Sequence, residues 1–181
     1  MPEQQVVIRR ATAADTGLLA ELGAQTFADS FGADNRPDSM AAYLASAFSF
    51  DKQATELVEP GSLFFIAQIG DELAGYARLR RSRAPEPVPG RRAVELARLY
   101  ARRSWIGRGV GAALMRTCLG AARECGYDGV WLGVWSENRR GIAFYRRWGF
   151  SEVGTQLFQL GDEAQTDLIM HRPLSEGSAN N

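Results

Sequence analysis

The run Gly107-Arg108-Gly109-Val110-Gly111 constrains this chain more than any other feature. Three glycines in five residues let a backbone turn tightly and keep Cβ atoms away from a ligand. The apolar stretch Val94–Ala101 before it reads as a strand, and the Ala/Leu-rich stretch Ala112–Cys125 after it reads as a helix stopped at Gly126. A strand that feeds a helix through such a loop calls for a sheet with a helix laid across it. The free N–H groups and dipole of that helix start form an anion site. Arg108, with Arg102 and Arg103 nearby, adds full positive charge. The chemistry fits a phosphate or pyrophosphate.

The surrounding pattern predicts a mixed α/β order. Val6–Arg9 is β-like, and Thr12 opens a helix start that runs in pattern to Phe31. Asp38 or Ser39 is expected to cap a second helix, and Lys52–Val58 forms a third before Pro60-Gly61. Leu63–Ile69 and Leu73–Arg80 make a hairpin about Gly70-Asp71, with Gly75 marking a bulge or a close backbone approach. Pro85, Pro87, Pro89 and Gly90 give a loop. After the glycine run come a strand at Val130–Val134, a helix at Asn138–Trp148 and two strands near Val153–Leu160 and Thr166–His171. Residues 1–174 read as one domain and 175–181 as a flexible tail.

Several classes are excluded or disfavoured. Twenty-one bases against 21 acids give zero net charge, which argues against a nucleic-acid partner. That zero is uneven: Ala11–Ala77 holds ten acids and two bases, and Arg78–Arg108 holds ten arginines and two acids. No apolar run approaches the roughly 18 residues of a membrane helix, so no membrane partner is expected. Cys118 and Cys125 lie about 10 Å apart along one helix, too far for a disulfide, and read as buried thiols of a cytoplasmic protein. One histidine, His171, makes a zinc site or a Ser-His-Asp triad a poor reading, and no metal is expected. Gly-Lys-Ser/Thr is absent, so the loop is not that of a P-loop NTPase. Gly107-x-Gly109-x-x-Ala112 fits the dinucleotide fingerprint, but Asp128 precedes its strand and too few elements follow for a doubly wound sheet.

The stretches Glu95-Leu-Ala-Arg-Leu-Tyr-Ala, Trp105-Ile-Gly-Arg-Gly-Val-Gly-Ala-Ala-Leu and Asn138-Arg-Arg-Gly-Ile-Ala-Phe-Tyr-Arg-Arg-Trp-Gly-Phe resemble the GNAT superfamily of acyl-CoA-dependent N-acetyltransferases. The order of elements agrees to about Leu174. Phe31-Gly-Ala-Asp-Asn-Arg-Pro-Asp-Ser-Met-Ala-Ala-Tyr-Leu, Trp131-Leu-Gly-Val-Trp and Gly161-Asp-Glu-Ala-Gln-Thr-Asp-Leu-Ile-Met further resemble the Pai-type spermidine/spermine N-acetyltransferases. The resemblance implies a GNAT fold: a largely antiparallel twisted sheet with a central splayed strand pair, flanked by helices. It implies an acetyltransferase that moves an acetyl group from acetyl-CoA to a primary amine by direct attack, with a polyamine or other small amine as acceptor. A protein or peptide acetyltransferase and a non-catalytic acyl-CoA sensor are the alternatives. Many relatives are dimers, so a homodimer stays open.

By position, the resemblance assigns the pantetheine arm to the backbone of Leu99, Tyr100 and Ala101. It assigns the pyrophosphate to Ile106, Gly107, Arg108, Gly109, Val110, Gly111 and Ala112, with Ile106 standing where the family has Arg or Gln. Asn138 caps its helix by type and contacts the pantetheine by resemblance. The resemblance has Tyr145 protonate the leaving thiolate, and the alternative is a core tyrosine. Glu95 is the candidate base for an ammonium of pKa about 10. Strand parity would put Glu95, Ala97 and Leu99 on one face. The bland reading of Glu95 is an ion pair with Arg78 or Arg80. Asp29, Asp34, Asp162 and Asp167, with Glu163 beside them, are the candidate acceptor-side acids, against solvated surface charge. Trp131 and Trp135 read as core.

Overall fold

Among the described residues, alternating apolar residues and turn glycines produce seven strands, and amphipathic stretches produce five helices. In chain order these are β1 (Val6–Arg10), α1 (Thr16–Phe31), α2 (Pro37–Ala47), α3 (Phe50–Val58), β2 (Ser62–Ile69), β3 (Glu72–Arg80) and β4 (Ala93–Ala101). Then follow α4 (Val110–Glu124), β5 (Gly129–Trp135), α5 (Arg139–Arg147), β6 (Ser151–Leu160) and β7 (Glu163–Pro173). The computed structural model describes residues 5–175, and the expected tail beyond Ser175 lies outside them. Local chemistry sets the boundaries. Pro37 occupies the first turn of α2, so that helix starts ahead of Asp38 and Ser39. Ser49 caps α3, its hydroxyl accepting from the Lys52 N–H at 3.1 Å.

The strands form one sheet in the order β1-β2-β3-β4-β5-β7-β6. Every pair is antiparallel except β4–β5. That parallel pair joins only Ala93–Glu95 to Gly129–Trp131. Beyond Glu95 and Trp131 the two strands part, which is the splayed pair expected from the sequence. One face of the sheet packs on α4 and α5 through Leu114, Met115, Leu119 and Ile142. The other packs on α1–α3 through Leu19, Leu22, Phe27 and Met40. The proline loop packs Val88 on Trp131 and Ile169. Asp128 ties that loop down, its carboxylate accepting from the Arg91 and Arg92 N–H groups at 2.7 and 3.0 Å.

Three sequence expectations need correction. Ala97 is an extra residue in β4, because Arg78 pairs with Arg98 while Leu79 pairs with Leu96. The bulge flips strand parity. Glu95 therefore sides with Arg98 and Tyr100, toward α1–α3, and Leu99 packs with the α4 cluster. Of the two thiols, Cys118 is buried and pushed up to about 12 by that burial, whereas Cys125 is exposed at the end of α4. The basic segment is not kept apart from the acidic one: two of its arginines pair with the acids of α3 and its end. Arg78, 1% exposed, pairs with Glu56 at 3.1 Å and Glu59 at 2.5 Å. Arg98 holds the same Glu56 at 2.7 and 3.1 Å.

Gly75 explains how β4 and α4 approach so closely. A Cβ there would lie 2.4 Å from the Tyr100 carbonyl oxygen and 3.1 Å from Val110. No side chain fits between those elements.

Candidate functional site

Where β4 and β5 part, a cavity of about 680 Å³ opens. One end of it is backbone. Gly107 and Gly109 have φ of +78° and +83°, a conformation that favours glycine. A Cβ on either would meet nothing within 4 Å, so the torsion and not crowding selects glycine. Gly109 is the N-cap of α4 and provides no side-chain cap. The first helical bond runs from the Ala113 N–H to the Gly109 carbonyl, at 3.0 Å. The N–H groups of Val110, Gly111 and Ala112 thus have no intrahelical acceptor, which makes a 15-residue helix present an anion site.

Leu99, Tyr100, Ala101, Ile106, Gly107, Gly109, Gly111, Ala112, Asn138 and Tyr145 all line the cavity. Arg108 and Val110 do not. The Arg108 guanidinium lies 5.3 Å over the Trp105 ring, and the Val110 side chain is buried in the core. Asn138 caps α5, its Oδ1 accepting from the Gly141 N–H at 3.0 Å. Arg140 and Arg147, one helical face of α5, also reach the cavity wall. The Tyr145 phenol is raised above its ordinary range by burial, with Cys118 adding to the effect. It stays protonated at neutral pH.

Two carboxylates face this cavity. Glu95 is committed: Arg80 donates to its oxygens at 2.8 and 2.9 Å, and the Ser82 hydroxyl donates at 2.8 Å. Asp167 is 8% exposed, and among the described residues no side chain pairs with it. Burial pushes its carboxyl up to about 6. Asp29 and Asp34 line an adjoining opening of about 420 Å³ with Arg103, Glu137 and Arg139, and not the main cavity. Asp162 lines neither. It accepts from the Ser39 hydroxyl at 2.8 Å and from Arg36 at 3.0 and 3.1 Å, pinning the β6–β7 turn to α2. Glu163 joins Arg36 at 3.2 Å. Trp131 is core, whereas Trp135 lines both openings. His171 stands apart from the cavity, buried, with its imidazole lowered mainly by that burial.

A parallel pair that parts beside a glycine-started helix is the geometry that the sequence resemblance implied. Residues 25–150 match the model of the acetyltransferase (GNAT) family. The chain belongs to that family. As a GNAT acetyltransferase it is 35% identical over 150 residues to an uncharacterized N-acetyltransferase of Lactobacillus delbrueckii subsp. lactis, across 83% of this chain and 87% of the relative. It is 31% identical over 151 residues to the N-alpha-acetyltransferase RimI of Mycobacterium tuberculosis, across 83% of this chain and 82% of the relative. Its fold resembles PaiA N-acetyltransferase from Thermoplasma acidophilum in complex with coenzyme A, with a TM-score of 0.75 and 20% identity over 94% of this chain and 99% of that one. Among the described residues no helix is long and apolar enough to cross a membrane.

The sequence reading missed the side chains that furnish the other end of the cavity. Phe27, Tyr43, Phe48, Gln156, Phe158 and Gln165 come from α1, α2, the residue after α2, β6 and β7. Each looks locally like an ordinary core or strand residue. Nothing in its neighbours along the chain marks it.

Proposed function

We propose that this GNAT protein uses acetyl-CoA as its acetyl donor and a small primary amine as its acceptor, by direct attack. The observation that carries the reading is one continuous cavity, running from the uncapped start of α4 to a chamber under α1 and α2. The free amides of Val110–Ala112, with Gly107, Arg108 and Gly109 leading into them, suit a pyrophosphate. Past Glu95, β4 loses β5 as a partner, so backbone groups up to Ala101 are free to pair with the amides of a pantetheine arm. Ile106 supplies no polar contact, and the backbone cradle does not require one.

The amine lone pair attacks the thioester carbonyl carbon, a C–N bond forms and the C–S bond breaks. Tyr145, kept as a phenol, donates its proton to the departing sulfur. The acceptor enters as an ammonium and must first lose a proton. Glu95 receives it through water, while Arg80 and Ser82 hold its carboxylate in place. A polyamine is the finer form of this reading. The sequence resemblance supports it, as do Asp29 and Asp34 at the outer opening. A peptide N-terminus is the second reading, favoured by the likeness to RimI. A cytoplasmic, dimeric enzyme goes with either.

Calorimetric titration with acetyl-CoA, followed by CoA release on adding amines, tests the proposal. Saturable binding and amine-dependent release are expected. No binding at millimolar acetyl-CoA would sink it.

A further inference from the structure

Six rings wall the chamber end of the cavity: Phe27, Phe31, Tyr43, Phe48, Tyr100 and Phe158. They touch in sequence. The Phe27 centroid lies 4.8 Å from Phe31, 4.7 Å from Tyr43, 5.8 Å from Phe48 and 6.3 Å from Tyr100. Tyr43 lies 5.6 Å from Phe158. The result is a continuous aromatic surface.

Apart from Arg140 and Arg147 on α5, the charged side chains that line the cavity are nearly all paired. Arg78, Arg80 and Arg98 pair with Glu56, Glu59 and Glu95. Asp167 remains. Its register partners are Trp135 on β5 and Gln156 on β6. A Cβ on Gly133 would lie 3.1 Å from an Asp167 oxygen and 2.6 Å from Gln156 Nε2, so both polar ends border the space that this glycine leaves open. Asp167 and the six rings line the same cavity.

We infer that the acceptor is a monoamine: one primary ammonium that pairs with Asp167, carried on a compact aromatic or aliphatic body enclosed by the six rings. This rests on the acetyltransferase reading above and narrows it. A buried carboxylate without a cation destabilises a fold, and a cationic substrate supplies what is missing. Aromatic faces add affinity for an ammonium beside an apolar body. A polyamine would bring further ammonium groups into a chamber whose other carboxylate is already bound by an arginine. Those groups would lose hydration in the chamber and meet further carboxylates only at the outer opening, at Asp29, Asp34 and Glu137. A peptide would bury backbone amides against rings that offer few acceptors.

The test uses the whole chain with saturating acetyl-CoA and reads CoA release. The panel is 2-phenylethylamine, hexylamine, putrescine, spermidine and a tripeptide with a free N-terminus. The two monoamines should exceed the others by about tenfold or more in kcat/KM, the discrimination expected for an uncompensated buried charge or amide. Asp167→Asn should lower kcat/KM for the monoamines about 30-fold, mostly through KM, as for loss of a charged hydrogen bond. Its acetyl-CoA affinity should match the parent, and its thermal midpoint should be no lower, because the burial cost of the carboxylate is gone. Preference for spermidine or the tripeptide overturns the inference while leaving the acetyltransferase reading intact, and so does an Asp167→Asn variant as active as the parent. Failure of the parent to bind acetyl-CoA overturns both.

Discussion

The two ends of the cleft are built from different material. The donor end consists of peptide groups: the first amides of α4, two glycines with positive φ and a strand edge that has lost its partner. The acceptor end consists of side chains gathered from distant segments, such as Gln165 on β7, which donates to Asn35 after α1. Peptide groups are the same in every sequence, so the proposed donor end should tolerate replacement of a neighbouring side chain such as Ile106. The acceptor end owes its shape and charge to particular residues. It is where specificity can change without loss of the fold.

Substitutions at the two ends should therefore behave differently. The largest effect is expected from Glu56→Ala, which strands Arg98, 5.0 Å over the Phe48 ring, and takes from Arg78 one of its two carboxylates. Loss of about 3–5 kcal/mol of stability should appear in denaturant melts. An unchanged midpoint would mean that side-chain ion pairs do not hold the acceptor wall. Next comes Tyr145→Phe, which removes the proton donor where the two ends meet. A fall of about 100-fold in kcat is expected, with unchanged acetyl-CoA affinity. Full turnover across pH 6–9 would remove Tyr145 from the chemistry. The smallest effects belong to the donor loop and are read as a pair by calorimetry. Gly109→Ala, at φ +83°, should weaken acetyl-CoA binding about tenfold, from about 1–2 kcal/mol of backbone strain. Ile106→Gln should change it by about threefold or less, one exposed polar contact. A larger effect from Ile106 than from Gly109 would break the comparison.

The donor end was legible because its signal is contiguous. Strand, glycine run and helix occupy Ala93–Glu124 without interruption, and each glycine's torsion is a local property. Asn138 could likewise be recognised as a cap from its place before α5. The acids were harder. Asp162, Asp167, Asp29 and Asp34 look alike as sequence, yet one is a surface tie, one is buried and two sit at an outer opening. Glu95 does line the cavity and does pair with Arg80, but it lies on the face opposite to the one that parity predicts. Parity counting assumes a regular strand, and the bulge at Ala97 is created by pairing with β3.

The sequence by itself determined the order of elements, the glycine-started helix and hence an anion site. Those follow from periodicity and backbone torsion, which act over a few residues. Only the tertiary structure decided which carboxylate is free. Arg80 and Ser82 occupy Glu95, while Asp167, the last partner of β5 on β7, lies beside Gly133 with no side-chain donor among the described residues. Whether a charge has a partner depends on distances of about 3 Å between residues far apart in the chain, and no local pattern encodes them.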